Sequence, residues 1–212
     1  MSIPFQLVHH AQQRGWKADD PLALEIIARY LEKQQPVTIV QQAGSRAWQE
    51  SLPATAILHE LIPHDPDPAI PLIIITDRQL GPRPDVDRLV ILRPPTLTLG
   101  IATRRHLTLG ELEEATRLFC RRAGYSAQSV MALAASSRRR ELGVLDDYAE
   151  QLKVPLLLYD DAILKRTPWT APGKMAGTCV VSAILAAGAR EPIVPSTPFF
   201  GKMTLAMAKR KE

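Results

Sequence analysis

Two short stretches place basic and hydroxyl side chains where an apolar run gives way to a helix start. "TRRH" (103–106) follows "LTLGIA", and "SSRRR" (136–140) follows "VMALAA". A guanidinium matches a carboxylate with two parallel N–H bonds. Open α/β sheets hold their ligands at the carboxyl ends of strands. Thr103, Arg104, Arg105 and His106 therefore read as one anion-holding corner, and Ser136, Ser137 and Arg138 as a second. The plain alternative is a solvated corner followed by a charged helix start. Basic residues at a helix start oppose the helix dipole, which favours an acidic partner. A third stretch, "GKMAGTCVVSAILAAG" (173–188), brings Gly177, Thr178 and Cys179 to the start of an apolar helix. Free backbone N–H groups there favour anions. The spacing GxxxxGK[ST] of a phosphate-cradling Walker loop is missing. Cys179 has two readings, a thiol of lowered pKa at a helix start or a small buried apolar residue.

Several other chemistries are excluded. The five histidines, His9, His10, His59, His64 and His106, form no HExxH or similar metal pattern, and no metal is expected. "HDPDP" (64–68) reads as a proline-rich loop. There is no GxSxG nucleophile elbow and no assignable carboxylate pair. Cys120 and Cys179 lie far apart, which suits a reducing compartment rather than a disulfide scaffold. The net charge of +4 is a mild bias towards acidic partners, short of a typical nucleic-acid binder. No stretch has the form of a signal peptide or the length of a membrane span, so a cytoplasmic protein without membrane contact is expected.

The elements that must position these corners follow from periodicity. Residues 1–19 read as a polar lead-in. Asp20 and Pro21 start a helix whose apolar stripe is Leu22, Ile26, Ile27, Tyr30 and Leu31. Strands are expected at 36–41, 72–76 and 88–92, with an irregular proline-rich stretch at 61–71 and a stiff "RPP" link at 93–95. The second half opens with a strand at 97–103. Thr108 and Glu111 have capping-box spacing, and Gly124 is a natural stop. A strand at 129–135 leads to a helix at 141–152, capped by Ser136 or Ser137. A strand at 154–159, a short helix at 161–166, a buried helix at 177–189 ending near Gly188 and a strand at 203–208 complete the chain. This alternation predicts an α/β fold, a layered α/β/α C-terminal domain over 96–212 behind a smaller α/β domain over 1–95.

Four stretches stand in a fixed order: "GIATRRHLTLGELEEA" (100–115), "SSRRRELGVLDDYAEQLKVPLLLY" (136–159), "GTCVVSAILAAG" (177–188) and "FGKMTLAMAKR" (200–210). Together they resemble the cobalamin-biosynthesis family that includes CbiG and CobE. The likeness covers about 97–208. "IITDR" (74–78), with the helix and strand at 20–41, is similar to the family's central region, and the N-terminal domain of CbiG has no counterpart here. The resemblance implies opening of the ring-A δ-lactone of cobalt-precorrin-5A with loss of acetaldehyde. The implied substrate is a modified tetrapyrrole edged with carboxylates. The implied partners are a corrinoid or cobalt-precorrin intermediate and other corrin-pathway enzymes. No cofactor is implied, since cobalt enters only as part of the substrate. The residues carried over as substrate-binding are Thr103, Arg104, Arg105, Ser136, Ser137, Arg138, Gly177, Thr178, Cys179 and Lys202, with Glu141 as candidate base. The corners at 103–106, 136–141 and 177–179 are expected to line one cleft, because strand ends and a helix N-terminus converge at one edge of an α/β sheet.

The chain departs from the family pattern at several points. Thr103 stands at the cysteine of "GCR" and Ala102 at its second glycine. The glutamate of the "GT" helix falls near Ser182 or Ala183, and the lysine of the serine loop lies within the arginine run. Positive charge is kept while acidic and thiol groups are depleted. A second reading is therefore a non-catalytic corrinoid-binding accessory protein. A third, an anion- or RNA-binding module built on the arginine run, ranks last because aromatic residues are only 5%.

Overall fold

The computed structural model describes residues 6–81, 86–103, 106–139, 143–167, 170–171, 174–175 and 177–210. The chain forms two compact units, the first ending at Pro95 and the second beginning at Thr96. Both are mixed α/β, and each carries a five-stranded sheet.

The first unit contains α1 (Leu7–Gln13), β1 (Lys17–Ala18), α2 (Pro21–Glu32), β2 (Val37–Gln41), β3 (Ala56–His59), β4 (Leu72–Ile75) and β5 (Leu89–Arg93). Its sheet order is β1-β5-β4-β2-β3. Only β1 runs antiparallel to its neighbour; β5, β4, β2 and β3 are parallel. The central strands are buried throughout, as parallel strands covered on both faces must be. α1 and α2 cover one face through Leu7, Ala11, Leu24, Ile27, Ala28 and Leu31. Asp20 caps α2 by accepting from Leu22 N–H and Ala23 N–H, with Pro21 in the first turn.

Three expectations for this unit are corrected. The supposed polar lead-in contains α1 and β1. The buried face of α2 is Leu24, Ile27, Ala28 and Leu31, so Leu22 and Ile26 of the expected stripe are exposed. β3 was not expected at all.

The second unit contains β6 (Leu97–Thr103), α3 (Leu109–Ala123), β7 (Val130–Ser136), α4 (Val144–Leu152), β8 (Leu156–Tyr159), α5 (Asp161–Arg166), β9 (Thr170–Ala171), β10 (Lys174–Met175), α6 (Thr178–Ala187), β11 (Val194–Phe199) and β12 (Met203–Lys209). β9 and β10 form a separate two-stranded ribbon, and the main sheet runs β11-β12-β6-β7-β8. β6, β7 and β8 are parallel, while β12 is antiparallel to β6 and β11 to β12. Strand periodicity sorts the two faces. Leu97, Leu99 and Ile101 of β6 and Leu205 and Met207 of β12 pack against Leu112, Ala115 and Phe119 of α3 and Leu145 and Tyr148 of α4. Ala102, Ala206 and Ala208 face α6 through Cys179, Ala183 and Ala187. The unit is therefore layered α/β/α.

α3 has both halves of a capping box between Thr108 and Glu111, and it ends at Gly124 in the left-handed conformation. One expectation is corrected: Ser136 and Ser137 do not cap α4, whose N-cap is Gly143 with no side-chain bond. β11 was also not expected. Among the described residues, no helix is long and apolar enough to cross a membrane.

Candidate functional site

The carboxyl ends of β6, β7 and β8 lie side by side, because Ile101 is in register with Ala135 and Ser136 with Tyr159. Gly100 fixes what stands above them. A Cβ built there would lie 1.7 Å from the carbonyl oxygen of Cys179 and 2.9 Å from Cβ of Ala183. Only glycine lets α6 come this close to the sheet. That contact sets the start of α6 beside the end of β6.

The result is a cleft of about 150 Å³ lined by Ile101, Ala102, Ser136, Arg138, Asp161 and Thr178. In its lining the Ser136 hydroxyl donates to Oδ1 of Asp161 at 2.6 Å. Arg138 Nε donates to Oδ2 of the same carboxylate at 2.7 Å. Beside them the Ser137 hydroxyl donates to Oδ1 of Asp160 at 2.8 Å. The start of α6 has Gly177 as N-cap with no side-chain cap, and Gly177 and Thr178 are exposed. Its first N–H groups form a positive end pointing out of the helix. The arrangement offers an exposed guanidinium, a helix N-terminus and an oriented carboxylate in one place. It can hold an acidic group and also accept a proton.

The residues singled out from the sequence fall in several different places. Ser136, Arg138 and Thr178 line the cleft, with Ser137 and Gly177 next to them in the chain. Thr103 is buried, and its hydroxyl has no partner among the described residues. It lies at the end of β6 and is not among the residues that line the cleft. Lys202 donates instead to Glu111 at 2.5 Å, tying the β11–β12 turn to the start of α3. That bond is the main cause that holds the Glu111 carboxyl below its ordinary range, with the Thr108 N–H adding to it. Arg104, Arg105 and Glu141 lie outside the described residues. His106 is exposed with φ 65°.

Cys179 packs in the α6 core, and burial pushes its thiol up to about 11. The helix-start effect that would lower it is outweighed by desolvation. Burial likewise pushes Cys120 up to about 12. Ser182, which with Ala183 lies near the glutamate of the family pattern, is fully buried and donates to the Thr178 carbonyl at 2.7 Å.

Asp160 and Asp161 were missed by the sequence reading, which took Asp161 only as a helix start. The available signal was a third strand end, "LLLYDD", at the same sheet edge as the other two. No group of His, Cys, Asp and Glu side chains suited to a metal occurs among the described residues.

Residues 97–208 match the family model described as Cobalamin synthesis G C-terminus. Three solved structures match the chain, each with a TM-score below 0.5. One is a homolog of cobalamin biosynthesis protein G from Sulfolobus solfataricus, at 16% identity and TM-score 0.47, covering 100% of this chain. The chain spans 62% of that homolog's length. Another is CobE, a protein from the cobalamin (vitamin B12) biosynthetic pathway, at 18% identity and TM-score 0.47, covering 56% of this chain and 94% of CobE. The third is cobalamin biosynthesis protein chiG from Agrobacterium tumefaciens, at 20% identity and TM-score 0.46, covering 55% of this chain and 99% of that one. A sequence comparison with curated proteins finds no match.

Proposed function

The chain belongs to the Cobalamin synthesis G C-terminus family, a cobalamin biosynthesis protein of the CbiG/CobE type, and from that premise we propose that its second unit binds a carboxylate-edged corrinoid at the cleft. The observation that carries this reading is the convergence of the exposed Arg138 and the uncapped start of α6 on one small cleft. A peripheral carboxylate would meet the helix N–H groups and the guanidinium together. The proposed reaction is opening of the ring-A lactone of cobalt-precorrin-5A with loss of acetaldehyde. Cobalt takes part as an atom of the substrate.

Hydrolysis of a lactone needs an activated water and donors for the developing oxyanion. The backbone N–H groups at Thr178 and Cys179 are the donors this chain offers. Two contacts hold this turn: Ser182 donates to the Thr178 carbonyl, and Gly100 seats the turn on the sheet.

A second reading, an accessory protein that binds the corrinoid without turnover, is favoured by one observation. The family's glutamate falls near Ser182 or Ala183; neither is acidic, and the Ser182 hydroxyl is engaged by the helix backbone. Incubation of the purified chain with cobalt-precorrin-5A, with acetaldehyde and corrinoid binding both measured, separates the two. Binding with release is the expected result. Binding without release supports the accessory reading, and absence of binding contradicts both.

A further inference from the structure

The Asp161 carboxylate, which lines the cleft, has both oxygens engaged, by two partners of very different freedom. Ser136 is the last residue of β7 and is buried, and it holds Oδ1 at 2.6 Å. Arg138 holds Oδ2 at 2.7 Å, yet its side chain is 74% exposed while that of Asp161 is 22% exposed. Such a half-solvated pair is readily exchanged for another carboxylate, because water screens it and the long side chain is free to swing. A ligand edged with carboxylates supplies that competitor at the place where Arg138 stands.

We propose that Asp161 is the general base for lactone opening, and that Arg138 leaves Oδ2 for a substrate carboxylate as the corrinoid binds. This rests on the lactone-opening reading above. Ser136 keeps its bond to Oδ1 and holds the plane of the carboxylate, so that the released Oδ2 faces the cleft. Oδ2 then takes a proton from a water molecule while the water oxygen bonds to the lactone carbonyl carbon. The carbonyl π pair moves onto its oxygen, which the N–H groups at the start of α6 stabilise. As the tetrahedral centre collapses, the ring C–O bond breaks and Asp161 returns its proton to the departing alkoxide. One water is added in this step. The freed alcohol then leaves as acetaldehyde when its C–C bond to the macrocycle breaks. The bond pair stays on the macrocycle with the hydroxyl proton, so no oxidant or reductant is needed. Binding of the right substrate thus uncovers the base it needs.

The test uses the full chain, cobalt-precorrin-5A, acetaldehyde release for kcat and KM, and a corrinoid titration for binding. Asp161→Asn keeps the shape of the side chain. It is expected to lower kcat about 10²–10⁴-fold, the usual worth of a general base, with the corrinoid Kd changed less than about threefold. Asp161→Glu is expected to recover part of the loss. Arg138→Ala is expected to raise KM about tenfold, the worth of one charge-assisted bond, and to lower kcat far less than Asp161→Asn does. Retention of kcat by Asp161→Asn, or its loss only in Glu141→Gln, overturns the assignment while leaving lactone opening standing. Corrinoid binding by the wild-type chain without release removes the lactone reading and this inference with it.

Discussion

At the carboxyl edge of the first unit's sheet, Gln41 closes the chain after β2. Its amide donates to the carbonyls of Ala43, Gly44 and Ser45, and its Oε1 accepts from Trp48 Nε1 at 2.8 Å and Gln49 Nε2 at 2.9 Å. Two strands away Arg93, at the end of β5, grips Asp19 with two bonds of 3.1 and 3.0 Å and donates to the carbonyls of Thr76 and Arg78. Both side chains are buried. At the matching edge of the second unit, Arg138 is exposed, its only side-chain bond among the described residues is to Asp161, and a cleft opens beside it. The two units use the same kind of sheet edge in opposite ways. In the first, the polar side chains satisfy the protein's own loops. In the second, they stand where a ligand can reach them. An arginine at a strand end is therefore no sign of a site by itself; what distinguishes Arg138 from Arg93 is how many of its donors the protein already occupies.

The comparison breaks most easily at Arg93. Arg93→Ala leaves Asp19 and two carbonyls without their partner and should destabilise the first unit by about 3–5 kcal/mol in urea unfolding. A loss below about 1 kcal/mol would mean that the edge is not closed from within. Next comes Gly100→Ala, which pushes a methyl group into the Cys179 carbonyl. It should cost about 3 kcal/mol or more and abolish corrinoid binding, because the start of α6 can no longer sit on β6. Thr108→Ala removes the cap of α3 and should cost about 1 kcal/mol. Arg138→Ala sharpens the contrast with Arg93: its effect on stability should stay within about 1 kcal/mol, although binding falls.

The cysteines give a pH test of the second unit's core. Both thiols are raised in the folded state, Cys120 to about 12 and Cys179 to about 11, from an ordinary value of 9.0. A raised folded value means that the unfolded chain deprotonates first. Stability is therefore complete below pH 9 and declines as pH rises through 9 towards 11–12. Native protein should also resist a disulfide reagent at pH 8 and react with two equivalents once unfolded. Rapid reaction of the native chain would contradict the buried placement of Cys179.

Where the sequence was legible, the local signal was strong and self-consistent. The capping box of α3, the strand Leu97–Thr103 and the glycine stops at Gly124 and Gly188 rest on short-range chemistry. Elements whose signal is diluted were not found. α1 buries only Leu7 and Ala11, so no apolar stripe shows. β11 contains Pro195 and Pro198, tolerated because it is an edge strand paired only with β12. The stripe of α2 was misphased because Leu22 and Ile26 are apolar by type yet face outwards. Within the site, Ser136, Arg138 and Thr178 were legible from composition at strand and helix ends. Asp161 was not, since its partner Ser136 lies 25 positions away and only the pairing of β7 with β8 joins them. Thr103 and Lys202, carried over by resemblance, do not line the cleft: Thr103 is buried at the end of β6 and Lys202 is bonded to Glu111.

The central claim is that the second unit's sheet edge recognises the carboxylates of a corrinoid. Equilibrium titration with a corrinoid bearing free peripheral carboxylates, against the same corrinoid with those groups amidated, tests it most directly. The acid should bind at least tenfold tighter than the amide at low salt, and the gap should shrink as salt rises and in Arg138→Ala. Equal affinity for acid and amide, unchanged by salt and by Arg138→Ala, would contradict the account.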